Sequence, residues 1–332
     1  MSHRIVCFGE LLLRLTAPGR ERLLQTGHFD VHVGGAEANV AVSLAQFGHA
    51  VAMASTVADN ELGEAATGTL RRYGVDTRHI ARTPGRMGLY FLSTGAVRRP
   101  SQIVYDRAGS AFAEADPDAA DWPAILHGAE WLHISGVTPA IGPKGAAAAQ
   151  RAVDAALAAG VKISFDGNYR AQLWANWEGD GPAILRGLLE AASLAFINER
   201  DISLILGQAF DDRDAAYAAA FQLFPRLDTI AATTRTQYSV DHHAIDAEIA
   251  TPDGHWRSRS HELVGIVDRI GGGDAFAAGV LHGLLTDMPP DHLIEFAAAA
   301  SALKHSIPGD FNLASVADVE AAIDTDNLDV RR

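Results

Sequence analysis

The sequence predicts an α/β protein with a mostly parallel sheet flanked by helices. Short apolar runs alternate with helical patterns along the 332 residues, and this alternation is typical of βαβ units. Several of the later apolar runs end in polar residues, among them Ser135, Asp166 and Asn198. Ligands bind at the carboxyl ends of strands in open α/β sheets, so we expect the functional site at that edge.

The individual elements follow from periodicity and from the residues that end each pattern. The predicted elements are a strand at 4–9, a helix at 39–47, a strand at 51–57, a helix at 61–73, a strand at 131–135, a helix at 145–159, strands at 161–166 and 194–198, a helix at 215–224 and a strand at 229–234. Val40, Leu44 and Phe47 share one face of the first helix. Gly48 and Gly74 follow the first two helices, as expected for helix C-termini.

Two regions, at about 10–33 and 86–110, depart from the βαβ pattern. Phe29, Val31 and Val33 alternate with polar residues, which predicts a strand with one solvated face. Residues 88–94 and 102–107 predict two more strands. Together they predict a small antiparallel sheet, either a lid over the site or an edge extension of the main sheet. Because no linker or repeat divides the chain, we expect residues 1–332 to form a single domain.

Composition excludes several functional classes. The chain has 27 basic and 41 acidic residues and a net charge of −14, whereas nucleic-acid binding needs clustered Lys and Arg. No stretch reaches the ~18 apolar residues of a membrane span, and the N-terminal apolar run is too short for a signal peptide. We therefore expect a cytoplasmic protein with no nucleic-acid or membrane partner. Cys7 is the single cysteine and is expected to be a buried, inert thiol.

The most informative segment places Gly271, Gly272 and Gly273 directly before Asp274 at the start of an apolar helix. A helix N-terminus has unpaired N–H groups and the positive end of the helix dipole, and glycine lets an anion approach closely. Asp274 adds a carboxylate that could act as a base. The segment predicts phosphoryl transfer to a hydroxyl, with a plain helix N-cap as the alternative role of Asp274.

A second glycine element, Gly-Gly-Ala-Glu-Ala-Asn at 34–39, also opens a predicted helix. With both elements the chain resembles the ribokinase-like carbohydrate kinases of the PfkB family over nearly its whole length. The resemblance implies a Rossmann-type α/β core with a β-sheet lid, ATP as phosphoryl donor and a sugar hydroxyl as acceptor. It implies that Asp274 is the catalytic base and that 271–273 form the anion hole, with Gly272 where the family usually has Ala.

The resemblance also implies a nucleotide and metal region. Asn198 and Asp201 correspond to an Asn-x-x-Glu element linked to Mg²⁺ and phosphate; the shorter Asp201 would act through water, which Mg²⁺ tolerates. The alternative is a solvated helix start. Many relatives have a Gly-x-x-Gly turn after the strand at 229–234, where this chain has other residues. The candidate nucleotide-binding residues are Asn168, Asn198, Thr233, Thr234 and Arg235.

The acceptor pocket is predicted from residues near the two glycine elements and the lid. Tyr90 and Tyr105 could cover a small ligand, and Arg107 shares a strand face with Tyr105. Arg170 follows the carboxyl end of a strand, and arginine pairs well with carboxylates. Two arginines favour a sugar acid over a neutral sugar. The candidate acceptor-binding residues are Gly34, Gly35, Ala36, Asn39, Tyr90, Tyr105, Arg107, Arg170 and Asp310.

The segments at 103–107 and 307–312 are similar to those of 2-keto-3-deoxygluconate kinases, which implies that Asp310 reaches the substrate. The expected reaction is ATP-dependent phosphorylation of 2-dehydro-3-deoxy-D-gluconate to its 6-phosphate. Related fructokinases carry a similar arginine, so a kinase of a neutral ketose or pentose is the main alternative. A nucleoside kinase and a catalytically silent sugar- or nucleotide-binding protein are the others.

Two further expectations concern histidines and assembly. His242 and His243 are predicted to lie in a loop, solvated or packed, and not to bind a metal. The uncovered strand edge of the lid predicts a homodimer or a higher homo-oligomer.

Overall fold

A computed structural model describes residues 4–25 and 27–324, and the statements below refer to these residues. The strands are β1 (Arg4–Phe8), β2 (Leu12–Thr16), β3 (Asp30–Gly34), β4 (Ala50–Ala58), β5 (Asp76–Thr83), β6 (Leu89–Ser93), β7 (Gln102–Asp106), β8 (Ala129–Ser135), β9 (Lys162–Asp166), β10 (Leu194–Phe196), β11 (Thr229–Gln237), β12 (His242–Thr251), β13 (Gly254–Arg257) and β14 (His261–Val264). The helices are α1 (Ala36–Gln46), α2 (Glu61–Arg72), α3 (Trp122–Leu126), α4 (Val137–Ala140), α5 (Pro143–Ala159), α6 (Ala171–Trp174), α7 (Gly181–Ala191), α8 (Glu199–Leu206), α9 (Arg213–Leu223), α10 (Gly272–Leu285), α11 (Pro290–Lys304) and α12 (Val316–Asp324).

Ten of these strands form a large sheet in the order β13-β12-β11-β10-β9-β8-β1-β4-β5, with β14 also pairing with β12. Pairing is parallel from β5 through to β11. It becomes antiparallel at β12, β13 and β14. The predicted α/β class with a mostly parallel sheet is therefore confirmed, and the sequence pattern missed β5 and the antiparallel edge.

Helices cover both faces of the large sheet. Ile5 and Cys7 of β1 belong to a core with side chains of α1, α10 and α11, whereas Val6 and Phe8 face a second core with α5, α7, α8 and α9. Because successive side chains of a strand point to opposite faces, one apolar strand supplies both cores. Cys7 is fully buried, as predicted, and burial raises the pKa of its thiol.

The remaining strands form a small sheet in the order β3-β2-β6-β7. The prediction of strands in both regions is confirmed, but the prediction of a purely antiparallel sheet is wrong. β2 pairs with β3 and β6 with β7 in antiparallel fashion, whereas β2 and β6 run parallel. The reason is that the chain passes from the large sheet into β2 and into β6 in the same direction. Antiparallel pairing is therefore confined to the two outer pairs, β2 with β3 and β6 with β7.

Two boundaries differ from the sequence pattern because of the residue that occupies the N-cap of the next helix. α1 begins at Ala36, three residues earlier than predicted, since Gly35 occupies the N-cap with φ +148°. β10 ends at Phe196 because Asn198 accepts hydrogen bonds from two backbone N–H groups at the start of α8. Both boundaries thus lie at the edge of the large sheet where the carboxyl ends of its parallel strands meet.

The antiparallel edge corrects the prediction for the two histidines. His242 and His243 lie at the start of β12, in a strand and not in a loop. His243 is fully buried, and the ring of His242 lies 2.8 Å from a carboxylate oxygen of Glu262. Among the helices of the described residues, none has the length and apolar character that crossing a membrane requires.

Candidate active site

A cavity of about 610 Å³ opens between the carboxyl ends of the large-sheet strands and the small sheet. Nearly all of the predicted site residues line it, although they come from distant parts of the chain. The predicted residues in its wall are Gly35, Ala36, Asn39, Tyr90, Tyr105, Arg107, Asn168, Arg170, Asn198, Asp201, Thr233, Arg235, Gly271, Gly272, Gly273, Asp274 and Asp310. Gly34 and Thr234 do not line it.

The turn at 271–274 forms one corner of this cavity. Gly271 is the N-cap of α10 with φ +84°, a conformation that favours glycine. A Cβ at this position would overlap the backbone oxygen of Asp310, so the turn also requires glycine sterically. The first N–H groups of α10 and the positive end of its dipole therefore face the cavity, which suits an anion.

Asp274 does not cap the helix, because Gly271 holds that position. Its Oδ2 accepts a hydrogen bond of 2.6 Å from Nδ2 of Asn39, in the first turn of α1. Burial raises the pKa of Asp274 to about 7, an effect that Glu37 and Asp310 reinforce and the Asn39 hydrogen bond opposes. A carboxyl group that changes protonation near neutral pH is suited to act as a general base.

A second carboxyl group, Asp166 at the end of β9, lines the same cavity. Burial and the nearby charge of Asp274 raise its pKa to about 8. Two acidic side chains that share a site cannot easily ionise together, so proton loss from one opposes loss from the other. Asp166 was noted in the sequence only as the end of a strand, and its closeness to Asp274 depends on the fold.

Gly272 has a specific neighbour that explains its departure from the usual alanine. A Cβ at this position would lie 2.7 Å from Cε1 of His305, closer than real contacts allow. The His305 ring is held in place, since its Nδ1 lies 2.7 Å from the carbonyl oxygen of Ser301. The imidazole therefore occupies the space that an alanine methyl group would need.

Arg107 enters the cavity wall already paired. Its Nε donates a hydrogen bond of 2.5 Å to Oε2 of Glu10, while Oε1 of Glu10 accepts one of 2.6 Å from Ser110. Glu10 is 1% exposed and Arg107 8% exposed. A buried ion pair of this kind fixes the orientation of the guanidinium group.

Asp310 lies beside the glycine turn, almost fully buried. Its Oδ2 accepts a 2.7 Å hydrogen bond from the hydroxyl of Tyr90, and its Oδ1 lies 3.2 Å from Nε of Arg14. A Cβ at Gly34 would overlap Oδ2 of Asp310, so Gly34 makes room for this carboxylate and does not face the cavity itself. Burial raises the pKa of Asp310, although Arg14 and Tyr90 oppose this.

Arg170 contrasts with Arg107 because its charge is not paired with a carboxylate at ion-pair distance within the described residues. Its Nη1 donates to the adjacent carbonyl of Tyr169, and the side chain is exposed. Burial raises the pKa values of Asp166, Asp201 and Asp274, and the charge of Arg170 opposes this rise, so its positive charge acts on the acidic side of the cavity. An anionic ligand there would find a guanidinium group free to bind it.

The other end of the cavity extends along β10 and β11. Asn198 and Asp201 form a capping box at the start of α8, in which Oδ2 of Asp201 accepts from the backbone N–H of Asn198. Thr233 and Arg235 line the cavity, whereas Oγ1 of Thr234 accepts a 3.0 Å hydrogen bond from Arg213. The predicted contact of Thr234 with a ligand in this cavity is therefore not supported, because alternate side chains of a strand point to opposite faces.

No group of three His, Cys, Asp or Glu side chains in residues 4–25 and 27–324 is arranged to hold a metal ion by itself. Asp201 keeps one carboxylate oxygen without a role in the capping box. This donor set fits Mg²⁺ held largely by water and phosphate oxygens, with few protein ligands.

The pfkB family carbohydrate kinase model matches residues 2–312. The chain belongs to this family. It is 30% identical over 325 residues to the 2-dehydro-3-deoxygalactonokinase of Haloferax volcanii, with 97% of each chain covered. It is 29% identical over 308 residues to the 2-dehydro-3-deoxygluconokinase of Thermoproteus tenax, with 92% of this chain and 89% of that protein covered.

The fold agrees with this family. The crystal structure of 2-dehydro-3-deoxygluconokinase from Thermotoga maritima has a TM-score of 0.92, 38% identity, and coverage of 97% of this chain and 100% of that chain. The resemblance to ribokinase-like kinases is thus confirmed, and the protein is a carbohydrate kinase with a large, mostly parallel sheet and a separate small sheet.

Sequence reasoning also missed Glu37, which supports the site of this kinase. Glu37, in the first turn of α1, is 1% exposed and its Oε1 accepts hydrogen bonds from the backbone and hydroxyl of Ser135 and the hydroxyl of Thr138. It therefore joins the α1 N-terminus, which carries Asn39, to the end of β8. An acidic residue in the first turn of a glycine-initiated helix was the available signal.

Proposed function

We propose that this kinase transfers the γ-phosphoryl group of ATP to the terminal hydroxyl of 2-dehydro-3-deoxy-D-gluconate, giving the 6-phosphate. The observation that carries the proposal is one cavity that unites Asp274 and its glycine turn with Arg107, Arg170, Tyr90 and Tyr105. A base and an anion site define phosphoryl transfer, while the two guanidinium groups suit the carboxylate of a sugar acid.

The proposed mechanism assigns one task to each group. Deprotonated Asp274 accepts the proton of the acceptor hydroxyl as its oxygen forms a bond to the γ-phosphorus and the bond to the β-phosphate oxygen breaks. The N–H groups at 271–273 stabilise negative charge on the transferred group. ATP would supply the phosphoryl group, and Asp201 would hold Mg²⁺ through water, so that the ion would neutralise phosphate charge.

The nucleotide is proposed to lie along β10 and β11, against Asn168, Asn198, Thr233 and Arg235. The acceptor lies under the small sheet, where Gly35, Ala36 and Asn39 offer groups for sugar hydroxyls and Asp310 faces the same space. Tyr90 and Tyr105 lie with ring centroids 6.4 Å apart and close the pocket from the small sheet. We propose that residues 1–332 work as one kinase domain.

The acid is favoured over a neutral sugar by the charges and by the relatives. Two of the similar proteins, those of Haloferax volcanii and Thermoproteus tenax, are named for 2-dehydro-3-deoxy acids with a galacto or gluco configuration. A phosphate-binding role for Arg170 would leave the neutral-sugar alternative open, so Arg170 is the residue that discriminates between them.

A coupled ADP-release assay over a small panel tests the proposal. The panel contains 2-dehydro-3-deoxy-gluconate, its galacto epimer, fructose, ribose and adenosine. We expect the highest kcat/KM with one of the two acids. Fructose, ribose or adenosine as the best acceptor would contradict the proposed substrate.

Arg170→Ala sharpens the same test. Because a hydrogen bond to a charged group contributes about 1.5–3 kcal/mol, kcat/KM for the acid should fall roughly ten- to hundredfold, with little change for a neutral sugar. Arg151→Ala is the matched control, since Arg151 pairs with Asp118 on the surface. An equal loss with acid and neutral acceptors would show that Arg170 does not recognise the carboxylate.

We also propose that the kinase forms a homodimer through the small sheet. β3 and β7 are its outer strands, and Val31 and Val104 on them are 58% and 50% exposed. Open strand edges with exposed apolar side chains favour association.

A further inference from the structure

Lys304 is a buried cation for which the proposed mechanism has no use. It is the last residue of α11, and its side chain is 0% exposed. Burying an ammonium group is strongly unfavourable unless it is well paired. Its position therefore has to be explained by what it holds.

The Lys304 ammonium group binds two backbone carbonyls from separate segments. Nζ donates to the carbonyl oxygen of Ile307 at 2.9 Å and to that of Asp268 at 3.4 Å. Asp268 lies just before the glycine turn of the anion hole, and Ile307 lies in the loop that leads to Asp310. One side chain thus connects the two segments that frame this corner of the cavity.

The aliphatic part of Lys304 lies directly beneath the turn. A Cβ at Gly271 would be 3.3 Å from Cε of Lys304. Asp268 holds the same segment from its other side, since its Oδ1 accepts from the N–H of Ile270 and its Oδ2 from the N–H of Gly309. The backbone at 268–271 is therefore fixed by a lysine and an aspartate acting on adjacent peptide groups.

Charge balance also depends on Lys304. Arg14 is fully buried beside it. The Nη2 atom of Arg14 lies 2.6 Å from Oδ2 of Asp268, and its Nε lies 3.2 Å from Oδ1 of Asp310. Lys304 and Arg14 together balance the two carboxylates. Without the ammonium group, an uncompensated negative charge would lie under the place where the phosphoryl group has to bind.

We propose that Lys304 is a positioning residue that serves as a fixed internal cation, holding 268–271 against 307–310 and thereby setting the anion hole for phosphoryl transfer. This rests on the proposed role of the 271–274 turn. It does not depend on whether the acceptor is an acid or a neutral sugar.

The charge state of Lys304 gives the proposal a pH signature. Burial lowers the pKa of Lys304 to about 8, against the opposing effect of nearby carboxylates. The charged groups and histidines that face it are Arg14, His32, Asp268, Asp274, His305 and Asp310. Burial lowers the pKa values of both histidines, and Arg14 stays charged, so Lys304 is the basic group of this set expected to lose a proton near pH 8.

The first experiment compares Lys304→Ala with Lys304→Met, using the panel sugar that gives the highest kcat/KM. Both should lower kcat on the order of 100-fold, as misplacement of a catalytic group by about 1 Å does. The alanine leaves space between the two carbonyls, so saturating ammonium or K⁺ should restore activity, whereas tetramethylammonium is too large. The methionine fills that space and should not respond. With Mg²⁺ present throughout, wild type and the exposed-lysine control Lys144→Ala should be fully active without an added monovalent cation.

Near-normal kcat in folded Lys304→Met would overturn the proposal, and so would a loss in folded Lys304→Ala that neither ammonium nor K⁺ restores. Circular dichroism establishes folding in each case. The pH profile of the wild type provides a second test that needs no variant. kcat should fall as pH rises above about 8, as Lys304 loses its proton.

A wild-type kcat that stays level to high pH would overturn the proposal even if both variants fail to fold. The proposal is also overturned if folded Lys304→Met still shows the fall in kcat above about pH 8. Failure of the proposed base is distinguishable, because it would appear as an active Asp274→Asn variant.

Discussion

Among single residues, Asp274 carries the proposed chemistry, and its surroundings explain how. Its carboxyl group lies at a helix start, accepts from Asn39 and has a pKa raised to about 7 by burial. The deprotonated form is the base, so kcat should rise as pH increases through about 7. With the loss above about 8 expected from Lys304, the wild-type profile should be bell-shaped.

Asp274→Asn keeps the shape of the side chain and removes the base. We expect kcat to fall by about 10²–10⁴-fold, the usual contribution of general-base catalysis, with the acidic limb of the pH profile lost. Steady-state kinetics across pH measure both effects. Asp253→Asn, on an exposed turn, is the control. Turnover of Asp274→Asn near that of the control would eliminate Asp274 as the base.

Gly272 and His305 form a pair that can be tested through stability. Gly272→Ala places a methyl group against the held His305 ring, and overpacking of this kind costs about 1–3 kcal/mol. Gly273→Ala is a matched control in the same helical turn, with open space around its Cβ. The free energy of unfolding of Gly273→Ala should be unchanged or rise by up to about 1 kcal/mol, because alanine has a higher helix propensity than glycine.

Urea denaturation of the two variants, and of Gly272→Ala combined with His305→Ala, measures these differences. In the double variant, removal of the His305 ring should recover most of the free energy of unfolding that the new methyl group at position 272 costs. If Gly272→Ala is as stable as Gly273→Ala, the imidazole does not limit the residue at this position.

At the level of strands and their connections, Glu10 lies where the chain passes between the two sheets. It follows β1 and precedes β2, while Arg107 and Ser110, which it binds, follow β7. A Cβ at Gly88, before β6, would overlap its carboxylate, and one at Gly35, before α1, would overlap its backbone oxygen. The four segments that connect the small sheet to the rest of the fold thus meet at Glu10.

Glu10→Gln should therefore loosen the attachment of the small sheet. It removes the charge that compensates buried Arg107, and we expect the free energy of unfolding to fall by about 1–3 kcal/mol. Glu114→Gln, in an exposed pair with Lys144, should change it by no more than about 0.5 kcal/mol. Denaturant unfolding followed by tryptophan fluorescence makes the comparison. Equal stability of the two variants would show that the Glu10 charge does not hold these four segments together.

For the assembled protein, the proposed dimer depends on the two open edges of the small sheet. Val31→Lys combined with Val104→Lys places charge on both outer strands, which is a common way to block edge pairing. Light scattering after size exclusion should give a dimer mass for the wild type and a monomer mass for the variant. Val264→Lys, at a position on β14 that is 74% exposed, is the control. A dimer that survives the double substitution would place the interface elsewhere.

Much of the architecture was accessible from local patterns. Alternating apolar runs and glycines after helices predicted the parallel strands, because periodicity and turn chemistry act over a few residues. The two strands around Tyr90 and Tyr105 were found in the same way. Local patterns could not reveal that β2 and β6 pair in parallel, or that Thr234 points away from the cavity, since pairing and facing are set by neighbouring strands.

The sequence by itself determined the α/β class and the glycine turn with Asp274, because both depend on residues adjacent in the chain. Only the tertiary structure decided which charges meet. Asn39 donates a hydrogen bond to Asp274, Glu10 forms an ion pair with Arg107, and Lys304 lies under the anion hole. These contacts join residues far apart in the chain, and a charge's partner and burial are decided by packing, not by its own identity or spacing.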